Sequence, residues 1–248
     1  MTTTDATVQY SSRIDEMIRR CLLSTVGVNN NVEYGKGRVV KIYSNPYDES
    51  DHSFSMSHQK SFTFATDRAD TNKSLQRQIE QIIVPAIDTF RFSILSDKSG
   101  TKVYEKLSIE NAYNTFKTAI SIMTNKGIEE KSRVAFCTNN FIELLKQDYN
   151  FVKGINLPDN RLIYKGMVGE CDNIPIIAVP KRRLPKDVAF IITHPIYIIA
   201  PIKLQEYKIY CDPPGIDGTL IEGLIYYDVF ITDKNKDAIA TCYNMSIE

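Results

Sequence analysis

Apolar positions recur along this chain with two periods, and the change of period organises it. Over residues 11–24, Ile14, Met17, Ile18, Cys21 and Leu22 fall at helical spacing, while Arg13, Asp15, Glu16, Arg19 and Arg20 lie elsewhere. A short amphipathic helix is expected there. Asn29-Asn30-Asn31 and Gly35-Lys36-Gly37 break it. Arg38–Tyr43 then reads as a strand, and Ser61–Thr66 alternates as a second. Residues 44–59 between them are polar and without period, so the two strands are expected to form an extended hairpin around a polar tip. A two-stranded hairpin alone is marginal in water. Such an arm makes physical sense when a neighbouring subunit holds it.

Thr71-Asn72 is a plausible N-cap for Leu75, Ile79, Ile82, Ile83, Ile87 and Phe90, whose spacing predicts a helix of about 20 residues. Pro85 lies inside it and should kink it or start a second segment. Ser108 is expected to open another helix, with Ala112, Phe116, Ala119, Ile120 and Met123 on one face and Gly127 closing it. Val134–Cys137 reads as a strand, and Thr138-Asn139-Asn140 as the cap of a helix through Ile142, Leu145 and Lys146. The pattern then turns to β. Strands are expected at Ile174–Val179, Val188–Thr193, Ile196–Ala200, Tyr207–Cys211, Gly223–Thr232 and Ala238–Cys242. Pro180, Pro185, Pro213-Pro214-Gly215 and Asp233-Lys234-Asn235 separate them. There is no internal repeat. The mixture predicts an α+β protein with helices concentrated in the first 150 residues.

The chain has 248 residues, enough for one large domain or two modest ones. Its 43% apolar and 24% charged residues match an ordinary soluble protein and exclude a disordered, collagen-like or disulfide-scaffold chain. Thirty basic and thirty acidic residues give zero formal net charge. A broad attractive field for nucleic acid is therefore missing, so any contact with DNA is local or passive. Zero net charge also removes a barrier to self-association. Five Cys, without a C-x-x-C, suggest neither a disulfide framework nor a zinc ribbon. They read as buried thiols of a chain made in a reducing cytosol. No secretory signal is visible after Met1. The longest uncharged apolar stretch, Phe190–Ile202, falls short of the roughly 20 residues of a membrane helix and contains Pro195 and Pro201. It reads as core strands.

Candidate chemistry is sparse. Of three His, His52 and His58 lie in the polar tip and His194 directly precedes Pro195. None sits in a metal-ligand spacing. Gly35-Lys36-Gly37 precedes a strand and so is not a phosphate cradle. Asp212, Asp217, Glu222 and Asp228 could be paired for acid–base work, but Asp212 and Asp217 flank a Pro-Pro-Gly turn, where Asp serves turn chemistry. Lys181-Arg182-Arg183 with Lys186 is the one basic run. It reads as a solvated turn, or as a contact with nucleic acid or an acidic partner. No catalytic, cofactor-binding or metal-binding residue is nominated and no cofactor is expected. A structural or interaction protein is favoured over an enzyme.

Several strings, taken in order, resemble the major capsid protein of tailed double-stranded DNA bacteriophages, the Hong Kong 97-like fold. Phe62-Thr63-Phe64-Ala65-Thr66-Asp67 with Asp70 looks like the strand leaving that family's extended loop. Val84-Pro85-Ala86-Ile87-Asp88, followed by Phe90 and Phe92, resembles its P-x-I-D helix segment. Val168-Gly169-Glu170-Cys171-Asp172-Asn173-Ile174-Pro175-Ile176 resembles an axial-domain hairpin, with Asn173 where Gly is common; Asn tolerates a left-handed backbone. Phe190-Ile191-Ile192-Thr193-His194 looks like the strand before a late lysine, here Lys203. Gly218, Glu222-Gly223 and Tyr227-Asp228-Val229-Phe230-Ile231 resemble the closing strand.

The resemblance spans about residues 30–242 and implies an N-terminal arm (1–35), an extended hairpin loop (36–72), a peripheral domain with a spine helix (73–130), an axial domain (131–220) and return strands (221–248). It implies a non-enzymatic subunit that self-assembles, as hexamers and pentamers, into an icosahedral shell around phage or prophage DNA contacted non-specifically. A separate scaffolding protein, a portal and decoration proteins are the implied partners, with no membrane; the virion is the destination, after assembly in the bacterial cytoplasm. The chain is short for the family and shows no long N-terminal helical extension, so scaffolding is expected from a separate protein or is not needed. Some relatives cross-link a loop lysine to a neighbour's asparagine. Lys36, Lys41 and Lys60 lie in that region, but no local motif carries the chemistry over. The alternatives are an encapsulin-type compartment, which shares the fold, and an unrelated soluble enzyme or binding module.

Overall fold

The computed structural model describes residues 14–29, 32–42, 52–67, 71–148, 151–153 and 164–245. The chain divides into two units, each discontinuous in sequence. One comprises Met1–Leu22, Asn30–Ile87 and Ala200–Val229; the other comprises Leu23–Asn29, Asp88–Ile199 and Phe230–Glu248.

The first unit is built on an antiparallel sheet ordered β11 (Ile202–Cys211), β12 (Thr219–Tyr227), β4 (His58–Thr66). The period-two pattern of β12 buries Thr219, Ile221, Gly223 and Ile225 on one face. Against that face pack Ile14, Ile18 and Leu22 of the N-terminal segment, helical over 14–21 (α1), and Leu75, Ile79, Ile83 and Ile87. Each fully buried aliphatic side chain contributes roughly 1.5–3 kcal/mol. Gly223 is opposite Phe62 in the register, and a Cβ on it would overlap the Phe62 ring. The strand therefore needs glycine there. A small sheet of β1 (Glu33–Tyr34), β2 (Val39–Ile42) and β3 (His52–Ser55) completes this unit.

The hairpin expected from the sequence is paired differently. β2 pairs with β3, and β4, which contains the expected second strand Ser61–Thr66, pairs with β12 instead. The apolar alternation of β4 matches that of β12, and this long-range match overrides the local hairpin. Tyr43 of the expected first strand and residues 44–51 of the expected polar tip lie outside the described residues.

The long helix is present in three consecutive parts: α2 (Thr71–Gln78), a π-helical turn (Ile79–Ile83) and α3 (Val84–Asp97). Val84 donates its N–H to Ile79 O, five residues back. Pro85 has no N–H and its ring would crowd the carbonyl four residues earlier; the wider turn relieves that clash. It also shifts the helical phase. Ile79 and Ile83 are buried, but Ile82, expected on the same face, is 49% exposed.

The second unit holds a mixed sheet ordered β5 (Thr101–Glu105), β13 (Ile239–Asn244), β10 (Val188–Thr193), β6 (Val134–Thr138), β9 (Ile174–Val179), β8 (Met167–Cys171), β7 (Phe151–Lys153). β6 and β10 are buried at every position, which explains their unbroken apolar runs. α4 (Ala112–Asn125) and α5 (Asn139–Leu145) supply Phe116 and Phe141, whose rings lie 5.3 and 4.7 Å from that of Phe190 and 6.2 Å from each other, centroid to centroid. α4 begins at Ala112, after a turn, rather than at Ser108. It ends in a Schellman motif: Ile128 N–H donates to Met123 O, Gly127 N–H donates to Thr124 O, and Gly127 has φ +80°. Thr138 caps α5 by accepting from Phe141 N–H. β8 and β9 form the expected hairpin, turning through Asp172 (φ 49°) and Asn173 (φ 62°), as a type I′ turn requires.

Other expectations shift. Residues 196–200 are not a strand: Pro195–Tyr197 is a 3₁₀ turn, with Pro at its start, and Ile199 makes only isolated bridges to Asn29 and Phe230. The strand expected at Gly223–Thr232 is β12, which runs earlier and stops before Asp228. β5 and β7 are too short and too polar to stand out in the pattern.

Candidate functional site

Of the residues singled out for chemistry, the structure brings His58 and Asp228 together and leaves the turn carboxylates apart from them. Asp212, at φ +50°, and Asp217 lie in the turn between β11 and β12, while Asp228 lies just past the other end of β12. Nine strand residues at roughly 3.3 Å each separate them by about 30 Å. Glu222 projects from the middle of β12, where it is opposite Lys208 and Thr63. Asp228 is thus too far from Asp212 and Asp217 to pair with either. His194 is buried and its ring stands edge-on to Tyr197 at 5.0 Å. Burial pushes its pKa below the usual histidine value, aided by Arg133 and opposed by Glu129 and by backbone hydrogen bonding. His52 lies in β3. Among the described residues no three His, Cys, Asp or Glu side chains are grouped to hold a metal.

Ser57, His58 and Asp228 do meet. Ser57 donates through N–H and Oγ to Asp228 Oδ2, both at 2.8 Å. His58 Nδ1 lies 3.1 Å from Ser57 Oγ and 3.5 Å from Asp228 Oδ1. A nucleophilic relay uses opposite imidazole nitrogens for serine and carboxylate. Here one nitrogen faces both, and the hydroxyl donates to the carboxylate. The arrangement is a clamp on the turn joining β3 to β4. Val229 N–H supplies a third bond to Asp228, at 2.9 Å.

A comparable clamp centres on Asp88, of the P-x-I-D string. It is 0% exposed. Oδ1 accepts from Ser24 N–H at 3.1 Å and Ser24 Oγ at 2.7 Å; Oδ2 accepts from Leu23 N–H at 3.2 Å and Arg183 at 2.9 Å. Buried Arg91 donates to Ser24 Oγ at 3.1 Å. Arg183, read as part of a surface run, is thus turned inward, its side chain 13% exposed. Lys181, Arg182 and Lys186 remain exposed.

Lys203, the late lysine, donates to Gly35 O at 3.0 Å and Gly37 O at 2.9 Å and so fixes the β1–β2 turn. Asp15 of α1 accepts from Leu204 N–H at 2.8 Å. Burial raises its pKa, against the lowering by that bond, Arg19 and Lys203. Lys36 and Lys41 are exposed and Lys60 is half-buried. Cys137, Cys171 and Cys242 are buried, and burial pushes the thiols of the last two up to about 12. Cys211, expected inside, is exposed on β11 beside Ile209 and Tyr210, which are 43% and 40% exposed. Sequence reasoning missed the Asp88 clamp. Its only local signal is an aspartate directly after an apolar run within a helix.

Among the described residues no helix is long and apolar enough to cross a membrane. No family profile matches the chain, and no curated protein is detectably similar in sequence. Solved structures are similar in fold. One from Mycobacterium phage Che8 superposes with a TM-score of 0.59 at 16% identity, covering 84% of this chain and 85% of that one. The asymmetric unit of the bacteriophage PhiM1 mature capsid gives 0.55 at 12%, covering 86% and 79%. The holo-SrpI encapsulin complex of Synechococcus elongatus PCC 7942 gives 0.52 at 9%, covering 86% and 84%. Coverage of this size takes in both units, so the chain has the α+β, Hong Kong 97-like fold of phage capsid structures.

Proposed function

We propose that this chain is a major capsid protein: copies self-assemble, as hexamers and pentamers, into an icosahedral shell enclosing phage or prophage double-stranded DNA, without catalysis. The observation that carries this reading is the fold likeness to phage capsid structures over more than four-fifths of the chain. The physical features agree with it. Closed shells need heterologous contacts repeated around each subunit. The balanced charge lets identical surfaces approach, and Ile82, Tyr104, Ile109, Ile209, Tyr210 and Met245 present exposed apolar area. In this reading residues 1–35 form an arm, 36–72 an extended loop, 73–130 the peripheral domain, 131–220 the axial domain and 221–248 the return strands. A scaffolding protein, a portal and decoration proteins are separate chains. Assembly takes place in the bacterial cytoplasm and the product is the virion.

The likeness to an encapsulin complex favours a second reading, a shell around protein cargo. Electron microscopy of the purified protein tests both. Shells, with packaged genomic DNA when made during infection or prophage induction, are expected. A co-purifying enzyme inside the shells would select the second reading. A strict monomer at high concentration, even with phage partners supplied, would overturn both.

A further inference from the structure

The basic run between β9 and β10 is divided by the fold into one structural and three outward cations. Arg183 is engaged by buried Asp88, and Pro180 and Pro185 bracket the turn, so its backbone is fixed from three points. Lys181, Arg182 and Lys186 project from this rigid base, exposed. Among the described residues none of the three has an ion-pair or hydrogen-bond partner for its side chain, a state shared with the dispersed exposed lysines Lys106, Lys117 and Lys234; what distinguishes the three is their grouping on one fixed turn. Lys181 also lines a cavity of about 210 Å³ together with Asn139, Asn140 and Asn244, although Asp187 and the apolar Phe141 and Leu144 line it too. Lysine ammonium and asparagine amide donors together suit phosphate oxygens.

We propose that this turn is the surface through which the subunit holds the sugar–phosphate backbone of duplex DNA; the inference rests on the capsid reading above. The chemistry favours DNA over an acidic protein face. Leu184, the aliphatic residue of the run, is buried, and the turn itself presents no aromatic or apolar anchor of the kind protein interfaces use. Three cations without base-reading geometry give weak, sequence-independent contact. Repeated over a shell, weak contacts sum by multivalency. With zero net charge over the chain, the subunit lacks a broad attractive field, and a local cluster of cations is where contact with phosphate is expected.

The test is binding of the purified protein to a labelled duplex of about 30 base pairs across a salt series. Three phosphate contacts predict a slope of log affinity on log salt of about −2.7, or about a 40-fold loss between 50 and 200 mM salt. The variant Lys181→Glu/Arg182→Glu/Lys186→Glu keeps Arg183 and should melt like the parent. It should lose this binding. The control Lys106→Glu/Lys117→Glu/Lys234→Glu carries the same charge change at exposed positions and should retain it. Absence of parental binding at low salt, or an equal loss in the control, overturns the inference. So does a triple variant that binds DNA normally but no longer self-associates, which would assign the turn to a neighbouring subunit. Shells that form and retain DNA in the triple variant refute only this inference; failure of the parent to form shells refutes the capsid reading itself.

Discussion

Replacing Asp88 by asparagine tests whether the second unit is held at a single buried charge. The side chain is 0% exposed and accepts four hydrogen bonds, two from backbone N–H groups, one from Ser24 Oγ and one from Arg183. Asparagine is nearly isosteric with aspartate, so packing is conserved and the change isolates the electrostatics. One carboxylate oxygen becomes an NH₂ that faces donors, and Arg183 loses its counter-charge while 13% exposed. Hydrogen bonds to charged groups contribute about 1.5–3 kcal/mol each, and breaking one side of a buried pair costs about 3–5 kcal/mol. These figures overlap, so the expected loss is about 3–5 kcal/mol, a large part of the roughly 5–15 kcal/mol typical of folded proteins. At roughly 2–4 °C per kcal/mol for a chain of this size, Tm should fall by about 6–20 °C. Urea unfolding of Asp88→Asn, Arg183→Met and the double variant forms the cycle. The double variant should be less destabilised than the sum of the singles, by about 1–3 kcal/mol. A loss under about 1 kcal/mol for Asp88→Asn, or strictly additive singles, would refute the clamp.

Three further outcomes are expected. Asp228→Ala should speed amide hydrogen exchange at Ser57 and Val229 while leaving β10 protected, because it removes acceptors only at the β3–β4 turn; unchanged exchange there would count against it. Gly223→Val should cost at least about 1–3 kcal/mol by denaturant unfolding, since the Phe62 ring occupies the space of the added side chain, and wild-type stability would contradict the packing. For His194 the folded pKa lies below the ordinary value of about 6.5, so the unfolded chain takes up the proton more readily. Stability is then complete above about pH 6.5 and is lost as the pH falls through the folded pKa. Urea midpoints from about pH 7.5 to about pH 5 should show this decline, flattened in His194→Leu; parallel profiles would rule out the histidine as its source.

How much of this was legible in the sequence depends on the range of the interaction. The Schellman stop at Gly127, the Thr138 cap and the Asp172-Asn173 turn are local, and each could be read from a few residues. β9 and β10 were legible to the residue because central strands need unbroken apolar runs. Strand pairing was not. Ser61–Thr66 has a nearby candidate partner in Arg38–Tyr43, but the pairing is decided by β12, far later in the chain, whose Gly223 accepts the Phe62 ring. The exposure of Ile82 was hidden too, because period counting assumes one helical pitch and Pro85 imposes another.

The two buried aspartates lie where such reading fails for a further reason. The chain passes between units at 22/23, 29/30, 87/88, 199/200 and 229/230. Around 22/23 and 229/230 the backbone leaves helix and strand, and its N–H groups lose their regular acceptors. A buried amide left unpaired is costly, so a side-chain acceptor has to replace the ladder. Asp88 does this for Leu23 and Ser24, and Asp228 for Ser57 and Val229, while Asp228 N–H itself donates to Pro201 O at 3.3 Å. A carboxylate suits the position better than an amide because it accepts at both oxygens and offers no donor to clash with the amides it serves. Asp88 and Asp228 are therefore better read as fasteners of irregular backbone within their own units than as acid–base groups. This has a mechanical consequence within each unit. Leu23 and Ser24 in one unit, and Ser57 and Val229 in the other, are each held by directional bonds to a single carboxylate. Substitutions at Asp88 and Asp228 should consequently alter the order of unfolding within each unit, where an apolar truncation of similar cost lowers the stability of its whole core.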